Sequence, residues 1–204
     1  MKKLLIAAIA VLGFTTANAQ YVAEKGDIQT SIEFRPFNNG GNEMFENGIG
    51  VNGTYFFTDK DAVRVGLDFS SDSGKYGDVK NSDFTFGFTV GYENHFKTYD
   101  RVDLFAGIEA GFGTRTIKYD GKKVNGGYTQ FGVDVFTGIN FYVYKKLFIG
   151  AELGLGYNHY NYNKYQVYDD GSEYQVLEEE YDPKSSNNTI KFFTNPALKI
   201  GWTF

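Results

Sequence analysis

Charged residues recur at alternate positions within the apolar stretches of this sequence. On a β-strand such residues share one face, because successive side chains point to opposite sides. Inside a closed sheet these charges would meet one another, and buried charges must be paired and hydrogen-bonded. The set comprises Glu33, Arg35, Arg64, Asp68, Glu93, Asp103, Glu109, Arg115, Asp134, Glu152 and Lys199.

We interpret this set first as a structural ion network. Counting along the strands places Glu33, Glu152 and Lys199 at similar heights, so Lys199 is predicted to lie between two carboxylates. Arg64 is predicted in the same way to meet Glu93 on the next strand. The alternative is a gated path for ions or protons, although an eight-stranded interior is too narrow for a permanent aqueous pore.

The two histidines offer little for catalysis. Lipid hydrolysis would need a histidine and a serine in contact, with a carboxylate orienting the histidine. His159 is followed two residues later by Asn161, and Ser185 and Ser186 fall only on a predicted loop. We therefore predict no catalytic residue, and interpret His159 as a polar residue near a membrane interface.

Two other charged groups could bind ligands or be solvent-facing. Carboxylates can hold Ca²⁺, but the acidic stretch near the end lacks Asp-x-Asp-x-Asp-Gly spacing and is better explained as a solvated loop. Three lysines could touch lipopolysaccharide phosphates, or simply face water. The glycines never precede a helix, so no nucleotide site, no metal site and no cofactor are predicted. The acidic residues are Asp169, Asp170, Glu173, Glu178, Glu179, Glu180 and Asp182, and the lysines are Lys118, Lys122 and Lys123.

Eight strands with two unlike faces would position the inward charges. One face is almost wholly apolar and the other consists of glycines and charges. A soluble ligand-binding barrel would carry the opposite pattern. The alternation therefore predicts an all-β, eight-stranded antiparallel transmembrane up-and-down β-barrel. The predicted strands lie at about 27–37, 47–57, 62–69, 83–96, 101–119, 128–143, 147–157 and 189–204.

Short and long connections alternate along the chain. The second, fourth and sixth (58–61, 97–100 and 144–146) are tight, whereas the others, including 70–81 and 161–188, are longer. This asymmetry is typical of membrane barrels with short periplasmic turns and larger outer loops. An even number of strands then places both termini in the periplasm. Within 161–188, an Asp-Gly pair predicts a hairpin standing above the membrane.

The beginning of the chain has the features of a secretory leader. Two lysines precede an apolar run and an Ala-Asn-Ala cleavage site, which predicts a cleaved signal peptide over 1–19 and one domain over 20–204. Without Lys2 and Lys3 the 20 basic residues fall to 18, against 25 acidic ones, a net charge of −7. That balance disfavours nucleic acid as a partner. There is no cysteine, and 18% of residues are aromatic.

The final strand carries a distinctive signature. Its alternating apolar residues end on an aromatic at the last position, and the set is Leu198, Ile200, Trp202 and Phe204. With the leader and the eight strands, this end resembles the small bacterial outer-membrane β-barrel family. That family includes OmpX-like proteins, the OmpA transmembrane domain and Bacteroidetes porin-family barrels.

The resemblance implies a location and partners more than an activity. It implies that the terminal signature is read by the barrel-assembly machinery after escort by periplasmic chaperones. It also implies contact with outer-membrane lipid and lipopolysaccharide, and a surface ligand for loop 161–188. The expected function is non-enzymatic, in envelope structure or surface contact. The alternatives are a narrow channel and, third, an enzyme that modifies lipid A.

Overall fold

The computed structural model describes residues 22–34, 49–77, 79–169, 175–182, 184–192 and 197–204. These residues form strands and turns, and they contain no helix with the length and apolar character needed to span a bilayer. The strands are β1 (Ile28–Phe34), β2 (Ile49–Phe56), β3 (Asp61–Tyr76), β4 (Val79–Tyr99), β5 (Val102–Tyr119), β6 (Lys122–Lys123), β7 (Tyr128–Tyr144), β8 (Leu147–Tyr162), β9 (Tyr165–Asp169), β10 (Gln175–Tyr181), β11 (Ser186–Phe192) and β12 (Ala197–Thr203).

Eight strands close into a ring. The order is β12–β1–β2–β3–β4–β5–β7–β8, and β8 pairs back with β12. All of these pairings are antiparallel. β1 pairs with β12 from Gln29 opposite Thr203 to Phe34 opposite Leu198, which joins the two ends of the sheet. The predicted all-β, eight-stranded antiparallel barrel is therefore confirmed.

The two ends of the barrel differ. At the terminal end, which holds Val22 and Phe204, the strands are joined by short turns at 57–60, 100–101 and 145–146. Asp100 and Lys145 take left-handed backbone in the two-residue turns, as tight hairpins require. The opposite end, here the loop end, carries longer extensions of β3, β4, β5, β7 and β8. The predicted short turns are confirmed.

The prediction of a loop at 70–81 is wrong. β3 continues to Tyr76 and β4 begins at Val79, and their register runs without a break to the tip of the hairpin. Both faces of this hairpin carry polar side chains, so the sequence lacks the alternation that marks the rest of β3. The stretch 161–188 also contains more strand than expected: β8 reaches Tyr162, and β11, which starts at Ser186, pairs with it.

The hairpin predicted within 161–188 is present. β9 and β10 pair antiparallel, with Tyr165 opposite Tyr181. The Asp-Gly pair predicted to turn it lies outside the described residues, as do the signal peptide and the β1–β2 connection.

The two faces of the barrel follow the expected alternation. Along β3 the outward residues Val65, Leu67 and Phe69 are 39%, 47% and 68% exposed, whereas the inward Arg64 is 3% exposed. A soluble barrel would present its polar side chains to the outside. An outer surface of exposed aliphatic and aromatic side chains instead suits lipid.

Candidate functional site

Arg64 is the centre of the interior. Its position on β3 points inward between Val63 and Val65, which face out. Its guanidinium contacts three carboxylates: Nη1 lies 3.0 Å from Glu93 and 2.8 Å from Glu152, and Nη2 lies 2.7 Å from Glu109. All four side chains are at most 12% exposed. Planar guanidinium groups suit such multiple pairing because their N–H donors are fixed in a fork.

The Arg64–Glu152 ion pair crosses the whole lumen. β3 and β8 are four strands apart in either direction round the ring, so they stand on opposite walls. Two parallel hydrogen bonds join these side chains, Nη1 to Oε2 at 2.8 Å and Nη2 to Oε1 at 3.1 Å. Phe136, on β7, stacks against the guanidinium with its ring centre 3.9 Å from Cζ. Together these side chains occupy the middle of the barrel.

Lys199 occupies the seam where the barrel closes. Glu33 lies directly opposite Lys199 in the β1–β12 register, and Lys199 Nζ is 3.6 Å from the Glu33 carboxylate. The same ammonium forms an ion pair with Glu152 and lies over the Phe105 ring. The structure thus places Lys199 between the two carboxylates expected from the sequence. Glu152 connects Lys199 to Arg64.

His95 extends the network toward the terminal end. Its Nδ1 lies 2.6 Å from Asp103 Oδ2 and its Nε2 lies 3.2 Å from Glu93 Oε2. The imidazole packs between the rings of Phe56 and Phe105, with centroid distances of 4.7 and 5.3 Å. His95 was not among the expected interior charges. Its odd-numbered position on β4, shared with Glu93, is the signal that could have found it.

Aromatic side chains fill the space around the charges. We expected an inner face of glycines and charges, with Phe105 the only aromatic on it. Within the described residues, six further aromatic side chains are at most 5% exposed and also lie on inward positions: Phe56, Tyr128, Phe136, Tyr142, Phe148 and Tyr160. Their alternate positions along the strands could have identified these side chains as inward-facing, but residue type alone could not.

Glycines on the same face make room for these rings. A Cβ added to Gly138 would overlap the ring of Phe105, and one added to Gly201 would overlap the ring of Phe148. Both glycines lie beside a bulky neighbour on an adjacent strand. Alternation of small and large side chains is how a narrow barrel fills its interior.

The remaining expected residues occupy other levels. Asp134 is 5% exposed and its side chain lies against Gly156, while Asp68 is half-buried against Gly50. Arg115 pairs with Asp83 at 2.7 Å near the loop end, where both side chains are about a third exposed or less. Arg35 lies outside the described residues.

The segment before β1 covers the terminal end. Gly26 donates a backbone hydrogen bond to Phe56 O at 2.8 Å, and Ala23 is buried with Phe56 and Ala62. Just inside, Gln29 Nε2 donates to the Tyr142 hydroxyl at 2.6 Å. These contacts close the interior below the ion network.

Positions that the sequence analysis considered for hydrolysis or metal binding, and did not predict to serve in either, can be compared with their contacts. His159 Nδ1 lies 2.7 Å from Asn188 Oδ1, and no serine contacts the ring within the described ranges. In the same ranges, no group of three or more potential ligands has the geometry to hold a metal ion. Most side chains of the acidic stretch lie outside the described part. Within the described residues, His159 therefore forms no hydrogen bond with a serine of the kind that lipid hydrolysis would need.

The terminal-strand residues divide between the two faces. Leu198 and Ile200 are each 44% exposed on the outer surface, and Trp202 and Phe204 are half-buried. Lys199, Gly201 and Thr203 point inward and are buried. This strand therefore presents apolar side chains outward, and it places the charge of Lys199 inward at the seam between β12 and β1.

An eight-stranded ring with an apolar exterior and a charged interior defines a transmembrane β-barrel. A family model described as the outer membrane protein beta-barrel domain matches residues 6–192. The chain belongs to this family, and the family locates it in the bacterial outer membrane. The recognition of an outer-membrane barrel family from the sequence is confirmed.

The chain is similar to three solved outer-membrane protein structures at low sequence identity. The N-terminal β-barrel domain of Pseudomonas aeruginosa OprF has 15% identity and a TM-score of 0.46, over 89% of this chain and 100% of that one. Ail, the attachment invasion locus protein of Yersinia pestis, has 12% identity and a TM-score of 0.41, over 88% of this chain and 99% of that one. Neisserial surface protein A has 15% identity and a TM-score of 0.38, over 87% of this chain and 92% of that one. No curated protein sequence matches the chain.

Proposed function

We propose that the protein is a non-enzymatic structural barrel of the outer membrane that presents its loop-end hairpins at the cell surface. The observation that carries this proposal is the Arg64–Glu152 ion pair across the lumen. That pair, with the buried aromatic side chains, leaves the barrel centre occupied by the protein's own groups. A filled barrel suits a role in the membrane and at its surface better than transport.

The proposed orientation places both termini and the short turns in the periplasm, after removal of the leader over 1–19. Supporting it, the described chain ends and the three short turns share one end of the barrel. Membrane barrels generally keep short turns on the periplasmic side. We also propose that Leu198, Ile200, Trp202 and Phe204 form the signal read by the barrel-assembly machinery, since this strand also closes the ring.

A surface role is supported by the extensions at the loop end. β3 and β4 continue as a paired hairpin to Tyr76 and Val79, and β9 and β10 form a second hairpin. Ordered strands above a membrane present backbone edges and side chains to other molecules. The segment 161–188 is the proposed site of contact with a surface ligand.

The test compares three strains: one lacking the protein, one restored with it, and one restored with a form in which residues 165–181 are replaced by a short turn. Leakage is measured as uptake of a large antibiotic that intact outer membranes exclude. Surface contact is measured as adhesion. A structural role predicts that loss raises leakage and both forms repair it. A loop role predicts that only the intact form restores adhesion. Loss of the protein with no effect on leakage or on adhesion would contradict the proposal.

The enzymatic alternative has its own measurement. Mass spectrometry of lipid A from cells with and without the protein would show a change in acyl chain number or substituents if the barrel modified lipid. The proposal predicts identical lipid A, because His159 contacts Asn188 and no serine within the described part of the chain.

A further inference from the structure

His95 lies between two carboxylates at the terminal end of the interior. Its Nδ1 is 2.6 Å from Asp103 Oδ2, and its Nε2 is 3.2 Å from Glu93 Oε2. All three side chains are at most 3% exposed. Each nitrogen of the ring therefore faces a carboxylate oxygen in a place that water barely reaches.

The other oxygen of each carboxylate already has a donor. Arg64 Nη1 donates to Glu93 Oε1 at 3.0 Å, and Thr98 Oγ1 donates to Asp103 Oδ1 at 3.3 Å. Among the described residues, the imidazole is the group in hydrogen-bond contact with the two remaining oxygens. A neutral imidazole carries one N–H and one lone pair, so it could satisfy only one of them. An imidazolium, which donates from both nitrogens, satisfies both.

The backbone and the packing hold the ring in this position. β4 contains a β-bulge between His95 and Lys97, and bulges re-aim the side chains beside them. The backbone N–H of His95 donates to Lys60 O at 2.6 Å. The ring itself lies between the rings of Phe56 and Phe105. These contacts keep the two nitrogens directed at the two carboxylates.

The surroundings of the ring favour a positive charge on it. Within the described part of the chain, the charged and titratable groups around His95 come from five strands: Glu93 on β4, Asp103 on β5, Arg64 on β3, Tyr142 on β7 and Lys199 on β12. Only the two carboxylates contact the ring. Arg64 is separated from it by Glu93, and Lys199 lies over the Phe105 ring, 4.8 Å from its centre. A neutral ring would turn a lone pair toward a buried carboxylate, which is costly in a medium of low dielectric constant.

We propose that His95 is a proton-dependent switch between two states of the interior. With both ring nitrogens protonated, it joins Asp103 to Glu93 and so joins the terminal end of the barrel to Arg64. When one proton passes to solvent, the ring keeps Asp103 through its Nδ1–H and releases Glu93. This inference concerns the interior and does not rest on the surface role proposed above.

The order of release follows from the contacts. The contact with Asp103 is the shorter of the two. After release, Glu93 still has the charged hydrogen bond from Arg64, whereas Asp103 without the ring would have only the hydroxyl of Thr98 among the described residues. Hydrogen bonds between charged groups are the stronger kind. The Nε2 proton is therefore the one that is lost.

The test is NMR of the ring nitrogens in the refolded full chain, labelled on histidine and held in detergent micelles. The chain contains two histidines, so His159→Gln leaves the signals of His95 alone. A free histidine has a pKa of about 6.5 and is almost wholly neutral at about pH 8.5. At that pH we expect both nitrogens of His95 to give the signals of protonated nitrogen. At higher pH, Nε2 should lose its proton while Nδ1 keeps it.

A second variant removes the carboxylate that faces Nδ1. In Asp103→Asn the ring should be neutral at about pH 8.5, because one of the two anions that favour its charge is gone. The matched control is Asp83→Asn, at the partly exposed pair with Arg115, and it should leave the ring protonated. Migration on a gel before and after boiling checks that each protein is folded. If Asp103→Asn does not fold, the His159→Gln barrel alone still decides both the charge of the ring and the order of release.

A pH profile separates this switch from a merely structural contact. Because folding favours the protonated ring, its contribution to stability is present at low pH and is lost as the pH rises. The urea midpoint of the His159→Gln barrel should fall over the pH range in which Nε2 loses its proton. A barrel that also carries His95→Gln should lack that fall. A ring that is neutral at about pH 8.5, a proton that leaves Nδ1 first, or identical pH profiles for the two barrels would overturn the proposal.

Discussion

Replacing Arg64 with methionine is the perturbation that bears most on the interior network. Methionine keeps much of the side-chain length but removes the charge and all five N–H donors. Glu152 would keep its ion pair with Lys199, and Glu93 would keep its contact with His95. Glu109 would lose its partner, because Arg64 is the only base in contact with it among the described residues.

The structure allows the cost to be estimated. Removing one partner of a buried ion pair costs about 3–5 kcal/mol, since the remaining charge stays buried without compensation. Arg64 is 3% exposed, so solvent offers little relief. With an m-value of about 2 kcal/mol/M in urea, the midpoint of unfolding should fall by about 2 M.

The assay is urea unfolding of refolded protein, followed by tryptophan fluorescence. Trp202 is the only tryptophan in the chain and lies half-buried on β12, so it reports loss of the closing strand. The matched control is Arg115→Met, the same substitution at a partly exposed pair with Asp83. Such pairs contribute about 0–1 kcal/mol, so the control should unfold close to the wild type.

A second substitution separates the lost charge from the lost packing. If the buried Glu109 carboxylate carries the cost, Arg64→Met/Glu109→Gln should be more stable than Arg64→Met alone by about 1–3 kcal/mol. An unchanged midpoint for Arg64→Met, or a double variant no more stable than the single one, would show that an unpaired Glu109 carboxylate does not carry the cost.

Other perturbations have equally definite outcomes. Lys199→Met should lower the free energy of unfolding by about 3–5 kcal/mol, whereas Lys145→Met at an exposed turn should change it by less than about 0.5 kcal/mol; equal effects in urea unfolding would contradict the seam assignment. Gly138→Leu should cost about 1–3 kcal/mol by overpacking against Phe105, and adding Phe105→Ala should recover part of that loss if the clash is the cause. Replacing residues 71–81 with a short turn should leave refolding yield on heat-modifiable gels unchanged, because among the residues that the structure describes this hairpin pairs only with itself and β5; a loss of folded protein would show that it supports the barrel.

The sequence predicts the barrel because its outer surface must be apolar at every second residue. That requirement makes alternation visible on every membrane-crossing strand, as in the series from Phe84 to Tyr92. It also predicts Glu33 beside Lys199, because closing the sheet sets a register that can be counted from the strand ends. Beyond the lipid both faces meet water, so the β3–β4 hairpin carries no such pattern and reads as a loop.

Contacts across the lumen could not be predicted in the same way. Whether Arg64 reaches Glu152 depends on the barrel diameter, the strand tilt and the direction of two long side chains. The sequence shows that both residues face the interior, but it does not give the distance between their side chains. Phe136 and Phe148 illustrate a related difficulty, since their large rings fit only because particular glycines lie beside them on neighbouring strands.

In the structure the protein's own side chains occupy the middle of the barrel. Ionic current through the refolded wild-type protein in a planar lipid bilayer measures whether they keep it closed. With the Arg64–Glu152 pair across the lumen and the segment before β1 over the terminal end, we predict no stable openings above the bare-bilayer baseline. Reproducible stepwise openings of the wild type that scale with salt concentration would show that these side chains leave a path for ions.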